Sequence, residues 1–129
     1  MTNRNDCCGY GERIPAVWLI RNELHIAFAI NGNGNYYRNF RIERKAWTKI
    51  RISQKQLRLS KRYISSRRII SKGYLYEIEV GQVKHTIINT RPEEFTNVKL
   101  YASDPWFGPF NGKIRNLEIC GKIMYFNQD

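Results

Sequence analysis

The chain lacks the two features that would place it in a membrane or give it a leader peptide. No stretch approaches the run of about 20 apolar residues that crosses a bilayer as a helix. The opening stretch, MTNRNDCCGYGERIP, is polar where a signal peptide is apolar. We therefore expect a soluble protein without a membrane span or an export signal in this sequence. With 129 residues, 42% of them hydrophobic, we expect one domain over 1–129, with roughly the first ten residues an irregular or disordered tail.

Signatures of catalysis are also missing. The sequence has no nucleophile elbow and no phosphate-binding glycine loop. Its two histidines, His25 and His85, lie in predicted strands, where a structural role is more common than general-base catalysis. Glu77 and Glu79 have the spacing of the paired carboxylates of some glycoside hydrolases, but alternating Glu on a solvent-facing strand is the ordinary pattern. We predict that the protein is not an enzyme and has no cofactor.

Cysteine is scarce, and its odd count excludes a complete set of intrachain disulfides. Cys7 and Cys8 lie near the start of the chain and Cys120 near its end. If the first and last strands are neighbours, either Cys7 or Cys8 can pair with Cys120, and three reduced thiols fit the composition equally well. A vicinal pair with one distant cysteine lacks the spacing of zinc ligands, so no metal site is predicted.

Acidic residues are few, 11 against 22 basic ones, which gives a net charge of +11. The excess lies in one segment, which contains a single acid, Glu43, and leaves nine basic and ten acidic residues for the rest of the chain. Its thirteen basic residues are Arg38, Arg41, Arg44, Lys45, Lys49, Arg51, Lys55, Arg58, Lys61, Arg62, Arg67, Arg68 and Lys72. Such a block attracts polyanions in a salt-dependent way. We interpret it as an anion-binding surface; the alternative is a solvated face that only maintains solubility.

The chain is rich in aromatic and β-branched residues that alternate with polar ones. In the stretch 23–30, Leu24, Ile26, Phe28 and Ile30 share one face, as in a half-buried strand. The following NGNGN predicts a hairpin turn, and Gly81 with Gln82 predicts another. Strands are predicted at 23–30, 47–54, 74–80, 83–90, 98–102, 113–119 and 122–126, with one or two short edge strands within 57–71. Because no segment has a helical period, we predict an all-β antiparallel sandwich.

Three segments resemble laminin G-like domains of the concanavalin A-like sandwich group. They are W-x-x-I-x-I-x-Q at 47–54, YLYEIEVGQ at 74–82 and FNGKIRNLEI at 110–119, and the resemblance covers roughly the last two thirds of the chain. In that family a Cys usually stands where this chain has Lys113, so the usual C-terminal disulfide has no equivalent in that position. The resemblance implies a jelly-roll sandwich, an extracellular location, and binding of glycosaminoglycans, other glycans or receptor proteins, sometimes beside calcium.

The ligand implied by the resemblance can be compared with the residues present. The basic block supplies the cations that a sulfated glycosaminoglycan needs. Calcium needs six to eight oxygen ligands, and the candidate loops offer only Asp104, Asn31 and Asn33, so calcium has little support. Aromatic side chains that could stack on a sugar are Tyr36, Tyr37, Trp106 and Phe107. The last two lie in the loop DPWFGPFNG, whose aromatic residues serve either as a core cap or as a ligand platform.

We therefore predict a non-catalytic binding or adhesion module with a basic face for a sulfated glycosaminoglycan or another anionic glycan. Nucleic acid is the first alternative, because Trp47, Lys49 and Arg51 share one face of a predicted strand and could form a stacking and electrostatic platform. The second alternative is a protein-interaction module whose basic face meets an acidic partner.

Overall fold

The computed structural model of the chain describes residues 1–2, 9–57, 63–65, 68–70, 73–102, 108, 111–119 and 122–124. In these ranges the chain is all-β, and none of them contains a helix long and apolar enough to cross a membrane. The strands are β1 (Ala16–Ile20), β2 (Glu23–Ile30), β3 (Asn33–Arg41), β4 (Ile50–Leu57), β5 (Tyr63–Ser65), β6 (Arg68–Ile70), β7 (Gly73–Val80), β8 (Val83–Asn89), β9 (Leu117–Ile119) and β10 (Lys122–Met124).

Two antiparallel three-stranded sheets make up most of the described structure. The first sheet has the order β1-β2-β3 and the second the order β4-β7-β8, so β2 and β7 are the central strands. Two short antiparallel pairs, β5 with β6 and β9 with β10, complete the pairing. The expectation of an all-β, antiparallel protein is therefore confirmed.

The first sheet is built on the alternation of β2. Leu24, Ile26, Phe28 and Ile30 are all buried, as the period of two predicts. The turn after β2 consists of Asn31 and Gly32, both with positive φ, which explains why the sequence has Asn-Gly at this point. The predicted hairpin is therefore confirmed, and its second strand is β3.

The second sheet follows the same rule. Ile78 and Val80 of β7 are buried, and the turn to β8 consists of Gly81 and Gln82, as predicted, with Gly81 at a φ of 58°. Added side-chain atoms at Gly81 would meet nothing, so its conformation is what favours glycine there.

The two sheets contribute to one hydrophobic cluster. The rings of Phe28 from the first sheet and Tyr76 from the second stack with their centroids 4.3 Å apart and their planes within 9° of each other. Asn31 adds a polar link between the sheets: its Nδ2 donates to the Ile88 carbonyl over 2.9 Å, and its Oδ1 accepts from the Thr90 backbone N–H over 2.8 Å. Packing and hydrogen bonds thus hold the β2–β3 turn against the end of β8.

Some sequence predictions differ from the structure at their boundaries. The strand expected at 47–54 begins at Ile50 and continues to Leu57, and that expected at 113–119 is limited to Leu117–Ile119. The strand expected at 98–102 is wrong, because only Lys99 pairs there, in an isolated bridge with Thr2. β1 was not expected, since AVWLI is a continuous apolar run without alternation.

Truncating a central core residue tests this architecture. Ile26 and Ile78 are fully buried and belong to different sheets, so Ile26→Ala and Ile78→Ala should each lower the free energy of unfolding by about 2–5 kcal/mol. Denaturant unfolding measures this change. Val83→Ala is the control, because Val83 is 57% exposed and its truncation should change stability by only about 0.5 kcal/mol. If Val83→Ala lowered the free energy of unfolding as much as Ile26→Ala and Ile78→Ala, the assignment of Ile26 and Ile78 to a buried core would be contradicted.

Candidate ligand-binding face

A row of three rings crosses the first sheet, one from each strand. Trp18 of β1 lies directly opposite His25 of β2, and their ring centroids are 5.6 Å apart. The His25 ring lies 4.7 Å from the ring of Tyr37 on β3. Because these side chains come from paired strands, the register of the sheet itself sets their spacing.

The row lies on the side of the sheet that faces away from the core. His25 and Ala27 alternate with the buried Leu24, Ile26 and Phe28, so they point to the outer face. Ala27 has no accessible surface although it shares this outer face, which means that neighbouring side chains cover it. Tyr37, directly across from Ala27, is 52% exposed. The rings therefore form a packed layer in which Tyr37 is exposed and Trp18 and His25 are half-buried.

Polar side chains fix the orientation of these rings. The His25 Nδ1 lies 2.8 Å from Oδ1 of Asn39, the residue opposite it on β3. Because an amide oxygen only accepts hydrogen bonds, Nδ1 is the donor in this contact. The Arg13 guanidinium lies 4.7 Å above the Trp18 ring and donates to Oδ1 of Asn35. We call the set Arg13, Trp18, His25, Asn35, Tyr37 and Asn39 the aromatic face.

Basic residues border the aromatic face at the end near the β1–β2 turn. Arg41 lies two residues beyond Asn39 on β3, across from Glu23. Arg44 donates from Nε to Oδ1 of Asn22 in the turn, next to the exposed Arg21. We call Arg21, Arg41 and Arg44 the basic rim. Toward the other end of the strands, the Arg13 guanidinium lies over the Trp18 ring and donates to Asn35, so it is engaged within the protein.

Arg38 takes part in contacts within the protein and not in the aromatic face. Its Nε donates to Nε2 of His85 on β8 over 3.1 Å, and its guanidinium lies 4.9 Å from the centre of the Tyr36 ring. Tyr36 itself packs against the core, with its ring 5.2 Å from that of Phe28. Of the two neighbouring tyrosines proposed from the sequence, Tyr37 is therefore the one that a ligand can reach.

The outer face of the second sheet carries both signs of charge. Arg51 and Lys55 on β4 are exposed, and Arg51 lies across from Glu79. Lys84 Nζ lies 3.2 Å from Glu77 and 2.9 Å from Glu79. The hydrogen bond from Lys84, together with the charges of Lys84, Arg51 and Lys49, lowers the pKa of the Glu79 carboxyl against the opposing effect of desolvation. The cations of this face are thus partly balanced by its own carboxylates.

The remaining sequence candidates are either isolated or outside the described residues. Lys45 is exposed at a φ of 60°, and Lys49 precedes β4 on an exposed stretch. Trp47 is 56% exposed, with the Arg115 guanidinium 4.0 Å from its ring centre. Arg68 lies in β6, described for its backbone. Outside the described residues lie Cys7, Cys8, Arg58, Lys61, Arg62, Arg67, Lys72, Asp104, Trp106, Phe107 and Cys120. Among the described side chains, no group of three His, Cys, Asp or Glu could hold a metal ion.

Sequence reasoning missed Arg13, Trp18, His25 and Asn39 as candidate binding residues. Part of this could be read from the sequence, because the alternation of β2 places His25 on the face of the strand that points away from the core. What the sequence does not give is the register that brings Trp18 and Asn39 to either side of His25. Tyr36 and Tyr37 were placed in one candidate set because they are adjacent in the chain. Adjacent residues of a strand point to opposite faces of the sheet, so the two side chains do not share a surface.

The Arg38–His85 contact predicts a measurable pKa change. Burial, followed by the positive charge of Arg38, lowers the pKa of His85 below its usual value. Arg38→Gln should therefore raise the His85 pKa part of the way toward 6.5, as measured by NMR titration. Because the folded pKa is the lower one, the neutral His85 stabilises the protein fully above about pH 6.5 and loses this effect as the pH falls.

Arg41→Gln is the control for this titration, because Arg41 lies on the same strand but on the opposite face of the sheet. It should leave the His85 pKa unchanged. An Arg38→Gln protein with an unaltered His85 pKa would show that the Nε contact is not formed in solution.

The Lys84 ion pairs predict a second pKa change. Lys84→Gln should raise the pKa of Glu79 toward its ordinary value of 4.5, as followed by carboxyl NMR titration. Since the folded pKa is lowered, the stabilising effect of the ionised Glu79 is present above about pH 4.5 and is lost as the pH falls through the folded value. Lys99 is exposed and is not among the charges that act on Glu79, so Lys99→Gln should not move the Glu79 pKa. Equal shifts in both variants would contradict a local contact.

No family model, curated protein or solved structure matches this chain. The function must therefore follow from the geometry and chemistry of its own surfaces.

Proposed function

We propose that this chain is a non-catalytic binding module for an anionic glycan and that the glycan lies along the aromatic face. The observation that supports this best is the ring row of Trp18, His25 and Tyr37, with the arginines of the basic rim next to it along the strands. From Asn35 to Arg41, the aromatic face and the basic rim together span seven residues of β3, roughly 20 Å at the rise of an antiparallel strand. That length accommodates several sugar units.

The side chains of this face match the chemical groups of an acidic sugar chain. The apolar C–H face of a sugar ring packs on an aromatic ring such as Tyr37, which is half exposed. Hydroxyl groups can exchange hydrogen bonds with His25 Nε2 and with the Asn39 amide. Sulfate or carboxylate groups pair with guanidinium groups, which bind such oxyanions in bidentate geometry. Stacking and ion pairing together favour a glycan over a simple anion.

The outer face of the first sheet suits this ligand better than that of the second, because its strands carry one carboxylate, Glu23 across from Arg41, and those of the second sheet carry two. On the outer face of the second sheet, Glu77 and Glu79 lie between the cations and form ion pairs with Lys84. An anionic ligand placed there would be repelled by these carboxylates. The net charge of +11 still acts at long range, so residues of the basic block far from the aromatic face raise the association rate without contacting the ligand.

The two sheets are proposed to be the layers of a β-sandwich of the laminin G-like, concanavalin A-like kind. In support, both sheets contribute to one hydrophobic cluster, and their central strands alternate buried and outward residues. The jelly-roll connection of that sandwich and an extracellular site of action belong to the same proposal, since sulfated glycosaminoglycans are ligands of the cell exterior.

Chromatography at graded salt tests the ligand class. The protein should elute from immobilised heparin at a higher salt concentration than from a plain cation exchanger of equal charge density, because heparin adds sugar and sulfate contacts to the common attraction. Equal elution from both would refute the proposal. Stronger retention on single-stranded DNA than on heparin would instead favour the nucleic-acid alternative, in which the rings stack on bases. Retention only by an acidic protein would favour the interaction module.

Substitution of the two most accessible ring positions tests the location. His25→Ala combined with Tyr37→Ala should weaken heparin-oligosaccharide binding by about tenfold or more, equivalent to about 1.4 kcal/mol, in isothermal titration calorimetry. Arg41→Gln should weaken it further and reduce its salt dependence. The comparison variant, Lys49→Gln with Lys55→Gln, removes two charges near the other sheet. This variant should lose less affinity for heparin than the ring variant, and the loss should disappear at high salt. A loss of affinity as large as that of the ring variant would place the ligand on the second sheet.

A further inference from the structure

A cleft opens between the two sheets at the end marked by the β2–β3 turn. Its volume is about 230 Å³, and it lies between the inner faces of the sheets, away from the row of rings on the outer face. Both sheets line it, with Phe28 from β2 and Ile52 and Tyr76 from β4 and β7. The segment after β8 forms another wall through Arg91, Glu93 and Phe95. It is thus a concave site built from separate elements.

The apolar lining of the cleft includes two ring pairs. Phe28 and Tyr76 stack almost in parallel, 4.3 Å apart; Phe28 is 1% exposed, so Tyr76, which is half-buried, is the ring of this pair that a ligand in the cleft would contact. Tyr10 and Phe95 stack with centroids 6.4 Å apart and an interplanar angle of 26°. Flat aromatic surfaces of this kind suit the C–H face of a small ring, because they bury apolar area without requiring a charge.

Hydrogen bonds orient the polar groups that border these rings. Asn89 is only 3% exposed; its Nδ2 donates to Gln54 Oε1 over 2.7 Å, and its Oδ1 accepts from the Arg91 backbone N–H over 3.1 Å. Since Gln54 Oε1 is occupied by Asn89, Gln54 Nε2 remains as a donor. Burial raises the pKa of the Tyr76 hydroxyl, which keeps it protonated, and no described residue hydrogen-bonds to it.

The β2–β3 turn positions two further cleft residues. Gly32 donates its N–H to the Tyr10 hydroxyl oxygen. Gly32 also leaves room for Arg91, whose Nη1 would lie 3.0 Å from a Cβ at this position. Its φ of 84° is a second reason for glycine there. The Asn-Gly turn thus serves the cleft as well as the hairpin.

We propose that this cleft is a second binding site, which takes a single neutral sugar ring. Arg91 and Glu93 have opposite charges, so the cleft does not select an anion. A volume of about 230 Å³ lies below the common range of about 300–1,000 Å³ for drug-sized ligands, which limits the occupant to one ring. Ring hydroxyls can pair with Tyr76, Gln54 and Arg91 while the C–H face covers the aromatic rings; a purely aromatic compound would leave the half-buried Tyr76 hydroxyl unpaired.

Saturation-transfer NMR on the full chain tests the proposal, with the methyl glycosides of glucose, galactose, mannose and N-acetylglucosamine as probes. At least one glycoside should bind with a millimolar Kd. Tyr76→Phe keeps the ring and removes the hydroxyl, and Gln54→Ala removes the donor; each should weaken binding about fivefold or more. Thr86→Ala, an exposed change on the outer face of the second sheet, should have no effect.

Competition separates this site from the one proposed for anionic glycans. An excess of heparin tetrasaccharide should leave the glycoside bound, because the two ligands occupy different faces of the first sheet. Displacement by heparin would overturn a separate site. The proposal also fails if no glycoside gives saturation transfer, if both cleft variants bind normally, or if N-acetyltyrosinamide binds where the glycosides do not. The saturation-transfer results and the two cleft variants do not depend on whether heparin binds, and the competition step is read once heparin binding has been measured.

Discussion

The alternation of buried and outward side chains along β2 is the constraint on which the rest of the structure depends. β2 is the central strand of its sheet, and its four large apolar residues are all buried. Because a strand repeats every two residues, burying that set forces His25 and Ala27 onto the outer face. A one-residue slip would place Phe28 in water and His25 in the core. The energetics of the core thus determine which side chains can form a ligand-binding surface.

The same constraint explains how a continuous basic segment divides in space. Arg38 and Arg41 belong to one strand but point to opposite faces, and Arg38 binds His85 of the second sheet. Arg51 and Lys55 lie on the second sheet, where Glu77 and Glu79 reduce the local positive charge. Charge density along the sequence therefore predicts long-range attraction of polyanions but not a contact surface. The contact surface depends on cross-strand neighbours.

Part of the fold could be predicted because the relevant signals are local. Alternation identified β2 and β7, and the Asn-Gly and Gly-Gln pairs marked their turns correctly. β1 gave no such signal, since an edge strand with five apolar or small residues in sequence resembles any buried segment. The stretch 98–102 has β-forming residues, yet its only β-pairing is the isolated bridge between Lys99 and Thr2. Strand propensity does not specify a partner.

The candidate site was harder to predict than the fold, because it depends on register and on side chains far apart in sequence. Tyr37 and Arg41 were predicted as binding residues because one is aromatic and the other basic. Trp18 and His25 become candidates only through the strand pairing that places their rings side by side. The cleft is also a product of tertiary structure, since Asn89 orients Gln54, which lies 35 residues away in the chain. Alternation and turn motifs within a short stretch of sequence do not predict contacts between residues so far apart in the chain.

The most direct test of a glycan on the aromatic face is a two-dimensional NMR titration of the labelled protein with a size-defined heparin oligosaccharide. Chemical-shift changes should concentrate at Trp18, His25, Tyr37 and Asn39, with the Arg41 guanidinium signal shifting in parallel. Changes confined to Lys49, Arg51 and Lys55, or shifts that disappear entirely at physiological salt, would contradict the account.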